Sequence, residues 1–290
     1  MRVIVNVDDL GLNPAVRRAV ADLAVGGPLE HGVVTSSTWM ANGPDAEDAA
    51  GVDWAALGVG VGVHLNILRG RPLSRMDRVG TLTDQQGRFL GDYGKLFQRY
   101  IAGRLDLDQV EREWSLQVER ALDMGVRPTH LDSEKHTHAW PTLMRVAGAV
   151  ARRFDIRWLR RPMECGELMR LDKGGLRTKF LSLCGLLQST PEGVHLPDAV
   201  FGIADQGPDL LPGRFIRYIR NNQGLRVVEI CCHPGRSEPG DPPIPEDYGS
   251  LRVHKQWRAE YESLSDAAWS QAFISLEAET THFGNLPADG

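Results

Sequence analysis

Short β-branched runs alternate with amphipathic helical stripes along almost the whole chain, and few architectures accept that order. Residues 2–7 form an extended apolar run that breaks at Asp8-Asp9, and Asn13-Pro14 then supplies a helix cap and a first helical position. Val16, Ala19, Val20 and Leu23 give that helix its apolar face. Residues 33–40, 57–65, 156–159, 193–201 and 225–232 read as further extended segments. Between them, residues 93–124, 141–153, 168–187 (with a basic face) and 210–220 carry helical spacing. Strands separated by helices specify the α/β class with a mostly parallel sheet or barrel, in which groups at the carboxyl ends of the strands converge. The 290 residues are expected to form a single domain, 1–290, closed by a helical segment at about 253–276 and followed by a flexible tail at 277–290. Residues 69–93 are expected to be a long loop of the kind that walls a binding site.

Several functions are excluded early. A formal charge of −5 offers no surface for a polyanion, so no nucleic-acid partner is expected. The apolar runs are too short for a membrane span, and the first residues enter a strand without a signal-peptide layout, which points to a cytoplasmic protein. Cys165, Cys184, Cys231 and Cys232 are spaced for neither a disulfide framework nor a zinc ribbon and are expected as buried, reduced thiols.

The chemistry is concentrated at strand ends. In residues 129–138, Thr-His-Leu-Asp-Ser-Glu-Lys-His-Thr-His, alternation on an extended chain would put His130, Asp132, Glu134, His136 and His138 on one side. Glycine at every second position from Gly58 to Gly62 leaves one face of the next strand bare and open to close approach, with His64 at its end. Asp8 and Asp9 end the first strand, and His233 ends the last. Asp9, His64 and one member of the 134–138 row could hold one metal ion, with Asp8 as general base and His233 as general acid for amide or ester hydrolysis. Arg160-Arg161 stands at another strand end and could hold an anionic or hydroxyl-rich ligand, or form structural ion pairs. No covalent-nucleophile or nucleotide-binding glycine motif is present.

Four ordered motifs, Val5-Asn-Val-Asp8-Asp9-Leu-Gly-Leu, Gly62-Val-His64-Leu-Asn66, His130-Leu-Asp132-Ser and Glu229-Ile-Cys-Cys-His233-Pro-Gly, resemble the YdjC-like carbohydrate deacetylases, in order from residue 2 to about 264. The resemblance implies a distorted TIM-like barrel, often a homodimer, that uses one divalent metal ion, zinc or magnesium, to remove acetyl from an N-acetylated sugar or glycoconjugate. It assigns Asp8 as base, Asp9 and His64 as metal ligands and His233 as a catalytic histidine. The family's usual third ligand is a histidine where this chain has Glu134. Either Glu134 replaces it, His136 takes over, or the metal is lost and the protein binds a sugar without turnover. Hydrolysis of another ester or phosphoester is the remaining enzymatic alternative. Asn66, His130, Asp132, His136, His138 and Arg161 are expected to contact substrate or support the ligands.

Overall fold

The computed structural model describes residues 1–165, 170–248 and 253–287. Its strands are β1 (Arg2–Leu10), β2 (Ser36–Trp39), β3 (Gly60–Leu65), β4 (Leu131–Ser133), β5 (Ala199–Phe201), β6 (Val227–Cys232) and β7 (Glu279–Thr280). The helices are α1 (Pro14–Leu23), α2 (Ala46–Ala50), α3 (Tyr93–Ile101), α4 (Leu107–Asp123), α5 (Pro141–Arg153), α6 (Lys173–Leu186), α7 (Pro212–Asn221), α8 (Val253–Leu264) and α9 (Ala268–Ser275). The strands order as β4-β3-β2-β1-β6-β5 with β7 also on β1, every pairing is parallel, and the sheet curls into a half-barrel. This is the distorted TIM-like architecture expected from the alternating pattern. Strand β1 lies at its centre, so Val3, Val5 and Val7 are fully buried and the strand is a continuous apolar run, as a parallel strand covered on both faces must be.

The distortion has a local origin. Residues 156–159, expected as a full strand, make only single bridges, Leu131 to Leu159 and Trp158 to His195. Those bridges carry the circuit from β4 toward the segment entering β5, and Pro162, which has no amide hydrogen to donate, follows close behind.

The bare face of β3 is filled from below. A β-carbon on Gly60 would come within 2.5 Å of the His282 ring, and one on Gly62 within 2.5 Å of the His130 ring. His130 in turn stacks on Phe283 at 3.9 Å between ring centroids, and Phe283 packs with Ile4, Trp158 and Leu286 as an apolar plug at the amino end of the strands. The close-approach reading of these glycines is therefore met by the chain itself.

This corrects the expectation of a flexible tail. Residues 279–280 pair with β1 and Phe283 is fully buried, because the glycine face of β3 leaves room for the His130 and His282 rings and Phe283 stacks on His130. The closing helix expected at 253–276 is two helices, broken after Leu264 where Asp266 accepts the Ala268 amide hydrogen. All four cysteines are free, three of them buried and Cys165 half-buried.

Candidate active site

Alternation alone would send Asp8 and Asp9 to opposite faces of β1. The β1–β2 register slips between Val7 and Leu10, and Asp9 takes a left-handed backbone, φ 66°. A bulge of this kind re-aims a side chain at the cost of local strain. As a result both carboxylates line one cavity of about 720 Å³ at the carboxyl ends of the strands, with Asp8 buried and Asp9 partly open.

His64 ends β3 within the same cavity. Its Nδ1 lies 2.7 Å from Asp132 Oδ1, and its Nε2 lies 3.4 Å from Asp9 Oδ1 and 3.4 Å from Glu134 Oε2. A carboxylate on one ring nitrogen fixes the imidazole so that the other can serve a metal. Donor atoms of Asp9, His64 and Glu134 all fall within 4.8 Å of one another. Two further groupings of this type share Asp8, one with His64 and Asp132, the other with Cys231 and His233. Arg160 engages the oxygens of Asp8 and Asp132, so the Asp9 group is the one that faces the cavity.

The polar row at 130–138 does not stay extended, and the expectation of five groups on one face is corrected. Strand β4 ends at Ser133, and Lys135 and His136 have φ of 52° and 54°, which turns the chain into a 3-10 segment, Glu134–Ala139. The turn delivers Glu134 to the mouth, where Arg69 Nε meets its other oxygen at 2.8 Å. His136 lines the cavity with its Nδ1 unpartnered, yet among the described residues it joins no group of converging donors. His138 lies behind the site, hydrogen-bonded to Ser133 and to the Arg160 carbonyl. His130 points down into the Phe283 plug. Asn66 is also structural: its amide donates to Asn42 and the Arg69 carbonyl, and its oxygen accepts the Leu68 and Arg69 amide hydrogens. That clamp starts the 69–93 loop and aims Arg69.

Of the arginine pair, Arg160 is the one within the barrel, and Arg161 lines a separate cavity near Trp158 and His195. The fully buried Arg160 donates to both oxygens of Asp8 at 2.7 and 2.6 Å, to Glu229 at 2.8 and 2.5 Å, and approaches Asp132 within 2.8 Å. Of the two alternatives the sequence left open for the arginine pair, Arg160 takes the structural ion pairs, whereas Arg69 was not singled out. The available signal was three acids within strands, Asp8, Asp132 and Glu229, which demand a buried cation.

These contacts order the charges. Burial acts to raise Asp8, but the Arg160 guanidinium outweighs it and holds the carboxyl well below its usual range. Burial, with the Glu134 charge beside it, pushes Asp9 up to about 6. Burial also acts on Glu134, where the His64 hydrogen bond and the Arg69 charge prevail and keep it ionised. Burial disfavours charge on His64, yet Asp132, Glu134 and Asp8 together raise it well above an ordinary histidine. His233 Nε2 stands 3.7 Å from Asp8 Oδ2, and Glu260 receives its backbone hydrogen. Burial opposes the His233 charge and Glu260 overcomes it, so this histidine is also raised.

Fold and site together define a parallel α/β half-barrel with a carboxylate and histidine donor set at the carboxyl ends of its strands. The chain belongs to the YdjC-like protein family, which matches residues 2–274. It is 28% identical over 235 residues to the carbohydrate deacetylase of Clostridium beijerinckii, covering 81% of this chain and 82% of that protein. It is 32% identical over 235 residues to the chitooligosaccharide deacetylase of Yersinia pestis, covering 80% and 81%. A crystal structure from Enterococcus faecalis V583, provisionally named a cellobiose-phosphate cleavage protein, shares the fold with a TM-score of 0.72 over 97% of both chains at 21% identity.

Proposed function

We propose that this protein is a metal-dependent hydrolase that removes an acetyl group from an N-acetylated amino sugar or glycosylated small molecule. The observation that carries this reading is the convergence of Asp9, His64 and Glu134 beside an Asp8 held ionised by Arg160 and a His233 whose pKa Glu260 raises, in a chain related to named carbohydrate deacetylases. The donor set suits a divalent cation, because Asp132 braces His64 through Nδ1 and the Asp9 and Glu134 carboxylates converge on its other ring nitrogen. Zinc is compatible with the imidazole, and the two carboxylates shift preference toward harder ions such as magnesium. When bound, the cation would lower the pKa of water and polarise the amide carbonyl.

The chain's own groups supply the proton chemistry. Asp8, kept ionised by Arg160, accepts a proton from the attacking water as its oxygen bonds to the acetyl carbon. His233 gives its proton to the leaving nitrogen as the C–N bond breaks, releasing acetate and the free amine. His233 Nε2 stands 3.7 Å from Asp8 Oδ2, so the proton gained at Asp8 returns to His233 through one bridging water or a small side-chain shift before the next turnover.

The substrate assay separates this from other hydrolyses. Chelated protein should release no acetate from N-acetylated chitooligosaccharides, and added zinc or magnesium should restore it. Phosphate release from phosphoesters without acetate release, or acetate release indifferent to chelation, would count against the proposal.

A further inference from the structure

Helix α6 is apolar on two sides. Gly175, Thr178, Leu181 and Cys184 form its buried side. On the opposite side Leu176, Phe180, Leu183 and Leu187 follow one another at helical spacing, so they form one stripe, with Leu186 adjoining. Leu176 is 56% exposed, Leu183 55%, Leu186 82% and Leu187 68%. Isolated surface leucines are ordinary, but four of them within twelve residues, each more than half open, form a contiguous patch of the kind that marks an interaction site. Phe180 sets the rotation of the helix, its ring held 5.4 Å from that of Phe97 on α3.

The charge on this helix runs against that of the chain. From Lys173 to Leu186 it carries Lys173, Arg177 and Lys179 and no acid, whereas the whole chain is at −5. Lysine and arginine beside an apolar stripe can lay their stems along it and extend their heads to an anionic plane. The stripe is also continuous with the catalytic cavity, since its Leu176 and Phe180 line that cavity together with Lys173 and Arg177.

We propose that the outward face of α6 seats this protein on an anionic lipid surface, with the mouth of its cavity opening beside the bilayer. A lipid surface provides an apolar phase for the four leucines and, at once, negative headgroups for Lys173 and Lys179, while Arg177 donates to the Ile203 carbonyl at the cavity. A second copy of this chain is the poorer occupant, because its own α6 offers the same three cations and no acid in return. Among the described residues no helix is long and apolar enough to cross a membrane, so the contact is one of lying on the surface.

Sedimentation of the full chain with vesicles tests this. Binding is expected to vesicles of phosphatidylcholine with phosphatidylglycerol, weaker to phosphatidylcholine alone, and weakened by salt. The double variant L183E/L187E should reduce partitioning roughly ten-fold or more, because two exposed leucines that the lipid would bury are replaced by carboxylates. Its thermal unfolding and its hydrolysis of a soluble substrate should be unchanged, since neither residue lines the cavity. The proposal is overturned if the chain ignores phosphatidylglycerol vesicles at low salt, or if the folded variant binds them as well as the original. A dimer that the double variant dissolves, without vesicle binding by either protein, would overturn it in favour of a second copy.

Discussion

Arg160→Met should cost about 3–5 kcal/mol of stability at neutral pH, the range for stripping the partner from buried charges. Methionine fills much of the arginine's volume, so packing is a small part of the loss. Asp8, Asp132 and Glu229 all lean on this one guanidinium at 2.5 to 2.8 Å, and all are buried. One cation cannot neutralise three carboxylates, and burial already pushes Glu229 up to about 7. Without Arg160 the carboxylates can relax only by taking up protons, which gives the prediction a sign in pH. In the native protein Asp8 is depressed, so its share of stability is present above the ordinary carboxylate range and is lost as pH falls through its folded value. In the variant its folded value rises above the unfolded one, so the penalty is full at neutral pH and shrinks as pH falls. Urea unfolding of both proteins from neutral to mildly acid pH checks this. Equal stability at neutral pH would show that the ion cluster is not what holds the barrel interior together.

Asp8→Asn should reduce turnover by about 10²–10⁴-fold, the usual contribution of a general base, while cation binding persists. The two readouts separate because both Asp8 oxygens are engaged by Arg160, whereas the converging donors come from Asp9, His64 and Glu134. The amide keeps the shape but cannot accept the proton, so kcat should fall with little change in KM. Unchanged turnover would remove Asp8 from the reaction. Loss of cation affinity along with turnover would make it a ligand.

The sheet and most of the converging positions were legible because they depend on local rules. Alternating strand and helix patterns, the Asn13-Pro14 cap and the bare glycine face each have a short-range cause, and each reappears in the structure. Period-two counting failed where the backbone left the extended region. It could not foresee the bulge that turns Asp9 beside Asp8, nor the left-handed pair at Lys135 and His136 that delivers Glu134 to the mouth. It also ran His130 and His138 into the site, although one plugs the base of the barrel and the other braces β4 from behind. The sequence left both a ligand and structural ion pairs open for Arg160-Arg161 and expected Arg161 at the substrate, but Arg161 lines a separate cavity and Arg160 carries the buried ion pairs. The tail was misjudged for a non-local reason: the bare face of Gly60 and Gly62 is the space that His130, His282 and Phe283 occupy together.

Calorimetric titration of zinc or magnesium into chelated protein, beside Glu134→Gln, tests the central claim most directly. Without a cation, the surrounding carboxylates hold His64 protonated, and bound metal must displace that proton. The original chain should therefore bind a single ion, release a proton into the buffer and bind more tightly as pH rises, and E134Q should lose most of that affinity while staying folded. Undiminished binding in E134Q, or binding whose strength does not change with pH, would contradict a cation held by Asp9, His64 and Glu134.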